Sequence, residues 1–247
     1  MNEVSVQFLG SGDNFGSGGR FQACIYVDTG SGRFLIDMGA SALIAMKRFG
    51  VATADVDFIL LSHLHGDHFG GLPFFILESQ VISRRKRPIV VAGPSSLETR
   101  IFETMEALFP GSTRVKRDFA LEFIEYTDKK TLSIGSIAVT PHPVIHPSST
   151  PAYALRIECQ GKVIAYSGDT EWTDNLIAAA SQADLFISEA YFYEKQIKYH
   201  LNYQTLMLHR RDLDCRRLIL THMNEDMLRR LPDIDTEWAE DGMRILL

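Results

Sequence analysis

The stretch from Asp57 to His68, DFILLSHLHGDH, limits the fold most tightly, because an apolar run leads without a break into three imidazoles and a carboxylate. Asp57 to Leu61 reads as a buried strand. Of the eight histidines in the chain, three fall at once behind it, at His63, His65 and His68, with Asp67 beside the last. On a helix turning about 100° per residue, positions 63, 65, 67 and 68 point at about 0°, 200°, 40° and 140°, which do not converge on one small ion. A loop after a strand can gather them. Imidazole and carboxylate are the usual ligands of Zn²⁺ and related divalent ions. So many polar groups beside a buried strand are costly to desolvate unless an ion satisfies them.

The rest of the chain alternates strands and helices. Strands are predicted at Val4 to Leu9, Ala23 to Asp28 and Arg33 to Ile36, with a Gly-rich turn, Gly10 to Gly19, behind the first. That turn matches no phosphate-binding pattern and reads as a loop at the edge of a site. A helix capped by Ser41 runs to Phe49 and stops at Gly50. Further helices are expected over Leu72 to Val81, Ser95 to Leu108, Thr173 to Ala180, Tyr203 to Asp212 and from Asn224. Further strands are expected at Ile89 to Ala92, Ala120 to Tyr126, Thr131 to Ile134, Ile137 to Pro141, Ala152 to Glu158, Lys162 to Ser167, Asp184 to Ser188, Arg217 to Thr221 and Met243 to Leu246. With 247 residues and no linker-like tract, residues 1–247 are predicted to form a single domain.

The composition, 45% hydrophobic and 23% charged, excludes disordered, collagenous and coiled-coil chains. A formal charge of −6 argues against broad electrostatic binding to nucleic acid or anionic lipid. No apolar run is long enough to span a bilayer, and Met1 to Gly10 lacks the marks of a secretory leader. Three scattered cysteines, Cys24, Cys159 and Cys215, fit a reducing compartment, so a cytoplasmic location is expected.

The hexapeptide His63-Leu64-His65-Gly66-Asp67-His68 resembles the HxHxDH signature of the metallo-β-lactamase superfamily. Downstream, His146 in TPHPVIHP, Asp169 in YSGDT and His222 in LILTHM stand in the order that family uses for its remaining ligands. The resemblance implies an α/β (α+β) fold of four αββα layers, two mixed β-sheets sandwiched by helices. It also implies two divalent metal ions, zinc first and manganese or iron as alternatives. One would be held by His63, His65 and His146, the other by Asp67, His68 and His222, with Asp169 bridging. A water bridging two such ions loses its proton near neutral pH and becomes the nucleophile; Asp67 is a candidate to orient it.

SEAYFYEKQIKYHLNYQTL, Ser188 to Leu206, resembles the ribonuclease Z branch, in which a glutamate of an SEA-like motif precedes a histidine of an HST-like motif. Those positions are Glu189 and His200 here, although the chain reads His200-Leu201-Asn202 rather than HST. A histidine backed by a carboxylate can hold a proton for a leaving alkoxide, which phosphodiester cleavage needs. Relatives that process transfer-RNA 3′ ends carry a flexible Gly/Pro-rich arm between the third histidine and the bridging aspartate. Only one predicted hairpin, Ala152 to Ser167, lies there in this sequence. The basic run Arg84 to Arg87 reads as a solvated loop.

The preferred reading is a ribonuclease Z-like hydrolase, a phosphodiesterase acting on small or short substrates rather than large RNA, with no membrane partner. An ester, lactone or thioester hydrolase on the same metal core is the alternative, and a tRNA 3′-processing endoribonuclease another. Phe74 to Leu77 serve either the core or a homodimer interface. Trp172 and Phe15 are candidates for a pocket mouth, with core burial the simpler account.

Overall fold

The computed structural model describes residues 3–247. Its strands are β1 (Ser5–Gly10), β2 (Cys24–Asp28), β3 (Arg33–Ile36), β4 (Phe58–Leu60), β5 (Ile89–Gly93), β6 (Leu121–Glu125) and β7 (Leu132–Ile134). There follow β8 (Ile137–Val144), β9 (Ala152–Cys159), β10 (Lys162–Tyr166), β11 (Leu185–Glu189), β12 (Leu218–Thr221), β13 (Glu237–Trp238) and β14 (Arg244–Leu246). The helices are α1 (Ala42–Arg48), α2 (Gly66–Phe69), α3 (Leu72–Val81), α4 (Leu97–Leu108), α5 (Asn175–Ala180), α6 (Tyr203–Leu208) and α7 (Glu225–Leu228).

The strands form two seven-stranded sheets, ordered β14-β1-β2-β3-β4-β5-β6 and β13-β12-β11-β10-β9-β8-β7. Both are mixed: β3 to β6 run parallel in the first and β10 to β13 in the second, with antiparallel pairs elsewhere. Alternate side chains of a strand point to opposite faces, and the three apolar clusters follow from that. Val6, Phe8, Val27 and Phe34 of the first sheet meet Val139, Leu155, Ile164 and Ile187 of the second between the sheets. Leu35, Ile59 and Val91 turn the other way, onto Met46 of α1, Phe75 of α3 and Ile101 of α4. Ala165, Phe186 and Leu220 do the same against Leu176 of α5 and Leu206 of α6. The layers are therefore α, β, β, α, the fold class that the resemblance implies.

The differences from expectation are local. The histidine window is not all loop: His65 caps one helical turn, α2, which carries Asp67 and His68, while His63 and His65 precede it. The turn closes through His68 N–H donating to His65 O at 2.9 Å. The strand expected to end at Pro141 runs to Val144. Strand β7 pairs only as far as Val139, so Pro141 and Pro143 lie along an open edge where a missing N–H breaks no ladder bond. The helix expected to reach Asp212 stops at Leu208, and the chain turns so that Leu213 enters the core. Helix α5 starts at Asn175, because Thr173 and Asp174 form the preceding turn.

The basic run is not simply a solvated loop. Arg85 is buried, and its guanidinium donates to the carbonyls of Thr53, Val56, Arg87 and Pro88. Lys86 pairs with Asp118, and Arg87 with Asp57. None of the helices among the described residues is long and apolar enough to cross a membrane.

Candidate metal centre

Because β3 and β4 are parallel, and β10, β11 and β12 likewise, their carboxyl ends emerge together, where sheets of this kind assemble sites. Asp37 follows β3, His63 to His68 follow β4, His146 follows β8, Asp169 follows β10, Glu189 ends β11 and His222 follows β12. Asp37 and His222 both take a left-handed backbone, each with φ +56°, which turns the side chain sharply out of its strand. Non-glycine residues rarely adopt it, and such strain concentrates at functional sites. Gly168 does the same one residue before Asp169, at φ +57°, where a Cβ would lie 3.0 Å from both Ser62 Cβ and Tyr153 O.

All seven residues singled out in the sequence as metal ligands lie in two adjoining groups. His63, His65 and His146 form one, and Asp67, His68, Asp169 and His222 the other, each with its ligand atoms within 4.8 Å of one another. In the first, the ring centroids are 4.7 to 4.8 Å apart and His146 Nε2 lies 3.0 Å from His65 Nδ1. In the second, His68 Nε2 and His222 Nε2 are each 3.2 Å from Asp67 Oδ2 and 3.3 Å from one another. Asp169 stands between the groups. Its Oδ2 is 3.9 Å from His63 Nε2 and from His146 Nε2, and its Oδ1 is 3.3 Å from His68 Nε2 and 3.5 Å from His222 Nε2.

These atoms suit a cation better than one another. A tetrahedral ion with ligands at roughly 2.0 to 2.1 Å has ligand-to-ligand edges of about 3.3 to 3.4 Å, close to the separations in the second group. His63 Nε2 and Asp169 Oδ1 are buried without a hydrogen-bond partner, which is costly unless something else satisfies them. Burial and the neighbouring His68 hold the His63 ring well below its usual value, so it is neutral with a lone pair to offer. Burial likewise brings His146 down to about 4. Burial opposes charge on His222 too, but Asp169 and Asp67 outweigh it and push that ring up to about 9. The two carboxylates thus attract a positive charge at the second group, which a divalent ion satisfies.

Around these groups a further set of contacts fixes ring directions. Asp37, which the sequence analysis missed, accepts from His68 Nδ1 at 2.7 Å and from Ser62 N–H and Oγ–H at 2.7 and 2.8 Å. The Tyr199 carbonyl accepts from His146 Nδ1 at 2.8 Å. The only hint of Asp37 in the sequence is its place directly after the apolar run RFLI, a position it shares with the other strand-end polar residues.

Glu189 is buried, with Oε1 accepting from the N–H groups of Thr170 at 2.5 Å and Leu201 at 3.2 Å. Its Oε2 accepts from His200 Nδ1 at 2.9 Å. His200 is partly buried, stacked on Tyr191 at 4.5 Å, and 5.1 Å from the His146 ring. Burial works against its charge, but the hydrogen bond and charge of Glu189 raise its affinity for a proton. Burial, then Asp169, raises Glu189 in turn. Asp169, Glu189, His200 and His222 also make a third group with metal-ligand spacing, overlapping the second. His142 belongs to none of these groups and is buried, with neither ring nitrogen hydrogen-bonded. Trp172 stacks on His209 at 3.8 Å.

Two mixed sheets with a histidine–aspartate cluster at their strand ends are the metallo-β-lactamase fold, and the relatives that match the chain in sequence place it in that superfamily, on its ribonuclease Z-like branch. Its whole length superposes on the whole of a metallo-β-lactamase fold protein, YhfI of Bacillus subtilis, with a TM-score of 0.80 and 22% identity. It also superposes on the short form of human tRNase Z with a TM-score of 0.78 and 23% identity, over 98% of each chain. The family model described as anti-Pycsar protein Apyc1 matches residues 4–237, and the chain belongs to that family. In sequence it is 28% identical to a ribonuclease Z of Lachnoclostridium phytofermentans over 162 residues, 65% of this chain and 51% of the relative. The chain spans about half the length of the first curated relatives it matches.

Proposed function

We propose that this chain is a dinuclear metal-dependent hydrolase of small or short phosphodiesters. His63, His65 and His146 would hold one ion and Asp67, His68 and His222 the other, with Asp169 reaching both; zinc suits the imidazole-rich donor set. When bound, such ions supply positive charge for a phosphoryl oxygen and acidify water. They also offset the negative charge of the protein where an anionic diester must bind.

The observation that carries the phosphodiesterase reading is the His200–Glu189 pair, 2.9 Å apart at the edge of both groups. With Nδ1 donating to Glu189, His200 keeps Nε2 for the substrate. A proton held there can pass to the leaving alkoxide, a poor leaving group that needs one, whereas the strained amide of a lactam needs it less. Glu189 keeps the ring protonated and, through Thr170 and Leu201, fixes the segment that carries it.

Two observations favour a small diester over a large RNA. A single hairpin, β9 and β10, occupies the chain between His146 and Asp169. The basic pair Arg216-Arg217 is matched by Asp184 and Glu237, and Arg85 of the run Arg84 to Arg87 is buried. The test is turnover of bis(p-nitrophenyl) phosphate by protein loaded with Zn²⁺ or Mn²⁺. Turnover that disappears in His65→Ala supports the assignment; no turnover, or equal turnover in the variant, overturns it.

A further inference from the structure

The ring of His222 is held differently from three of the other histidines at the metal groups. Asp37 fixes Nδ1 of His68, the Tyr199 carbonyl fixes Nδ1 of His146, and Ser62 Oγ lies 3.0 Å from Nδ1 of His63. His222 Nδ1 is buried without a hydrogen-bond partner among the described residues, and Glu189 Oε2 stands 3.9 Å from it. The direction of this ring is therefore set by its backbone, which is strained at φ +56°. That backbone is held by the Gly-rich loop: the His222 N–H donates to the Ser11 carbonyl at 3.1 Å, and the Thr221 hydroxyl donates to the same oxygen at 3.3 Å.

Ser11 is itself fully buried and is held by a residue from the far end of the chain. Asp241 lies between β13 of one sheet and β14 of the other, where the chain crosses from sheet to sheet. Its Oδ1 accepts from the N–H and the hydroxyl of Ser11, both at 2.9 Å, and its Oδ2 accepts from the Phe21 N–H at 2.7 Å. One carboxylate thus closes both limbs of the Gly-rich loop at their base. The limbs have no slack, since a Cβ on Gly10 would lie 1.9 Å from Gln22 O. Arg20 braces the same point, with Nη1 donating to Ala239 O at 2.6 Å and to Ser11 Oγ at 3.3 Å. The Ala239 N–H donates in turn to Leu220 O at 2.8 Å, two residues before His222. The contacts run in a closed circuit from the end of β12, through Ala239, Asp241 and Ser11, back to His222.

We infer that Asp241 is a positioning residue for the second metal group, holding His222 in its ligating direction through the Ser11 carbonyl. The inference rests on the dinuclear reading and adds to it what aims one of the ligands. A carboxylate suits the place because three donors converge on it and charge-assisted bonds are the stronger ones. An asparagine there would turn a donor towards one of those donors.

The test is titration of the metal-free protein with Co²⁺, followed by calorimetry and by visible absorption, which changes with the ligands around that ion. Asp241→Asn keeps the size of the side chain and breaks the clamp; Arg20→Met loosens it from the other side. Asp184→Asn is the control, because Asp184 accepts from the Val163 N–H at 2.9 Å at the end of β11 away from the metal groups. Asp241→Asn is expected to bind one equivalent as the native protein does and the other about tenfold more weakly, with an altered absorption band. Arg20→Met is expected to weaken the same equivalent to a smaller extent, and Asp184→Asn neither. In His65→Ala, which lacks a ligand of the first group, Asp241→Asn is expected still to weaken the ion that remains. Unchanged binding in both clamp variants, or equal weakening of both equivalents, overturns the role of Asp241 and leaves the dinuclear reading standing. The same loss in Asp184→Asn does so too, since it assigns the effect to general stability. Fewer than two equivalents bound by the native protein overturns the dinuclear reading, and this inference with it.

Discussion

Asp37 Oδ2 accepts a hydrogen bond from His68 Nδ1 at 2.7 Å, and both residues are fully buried. The bond settles which nitrogen of His68 carries the proton and leaves Nε2 facing Asp67, Asp169 and His222. An imidazole held this way by a carboxylate is a stronger and better aimed ligand. Replacement of Asp37 by Ala removes that anchor and also puts a residue ill-suited to φ +56° into a left-handed turn. The expected loss in metal affinity at the second group is about 10- to 100-fold. Competition against a chelator measures it; an unchanged affinity would show that Asp37 does not position His68.

His200→Ala separates proton donation from metal chemistry. A p-nitrophenolate leaves without help, whereas an alkoxide needs a proton. The variant is expected to lose about 10²- to 10⁴-fold in kcat on a dialkyl or alkyl aryl diester cleaved at the alkyl side, and far less on bis(p-nitrophenyl) phosphate. Equal losses on both would assign His200 to binding or structure instead.

Arg85 contributes to stability rather than to chemistry. Its guanidinium satisfies carbonyls from Thr53, Val56, Arg87 and Pro88, tying the turn before β4 to the segment before β5. Arg85→Met leaves those carbonyls without a donor and is expected to cost about 2 to 4 kcal/mol. Denaturant unfolding checks the size, and metal affinity serves as the control that the site itself is intact.

Glu106 gives a prediction in pH. The Thr113 hydroxyl, together with the N–H groups of Gly111 and Thr113, lowers its carboxyl from 4.5 to about 2. A folded-state pKa below the unfolded one contributes stability above pH 4.5 that is lost as pH falls towards 2. The stability difference between the native protein and Glu106→Gln is therefore expected to shrink between pH 6 and pH 2, followed by chemical unfolding. A difference constant over that range would contradict the cause given.

Most strands were legible because they are short apolar runs bounded by Gly, Asp or Ser, and β3, from Arg33 to Ile36, was expected at the bounds it has. The residues gathered at the two metal groups were legible for a related reason, since each stands at or just past the end of such a run. What the sequence hid depends on contacts between distant segments. Asp37 acquires meaning only when β3 and β4 lie parallel and bring it against His68. Arg85, inside the run Arg84-Arg85-Lys86-Arg87, reads as solvated until the chain folds carbonyls around it. The turn α2 escaped because four residues are too few for a helical period to show. Strand β13, two residues long, is defined by its pairing with β12 rather than by any pattern of its own.

The central claim is that two metal ions, held by the residues gathered at the two groups, make the chain a phosphodiesterase. Metal content and bis(p-nitrophenyl) phosphate turnover, measured on the same preparation during titration with Zn²⁺ after chelation, test it most directly. The account predicts that turnover rises as the second equivalent binds per chain, and that His65→Ala neither binds two equivalents nor turns over. Full turnover with no metal or with a single equivalent, or a fully loaded protein inert towards phosphodiesters, would contradict it.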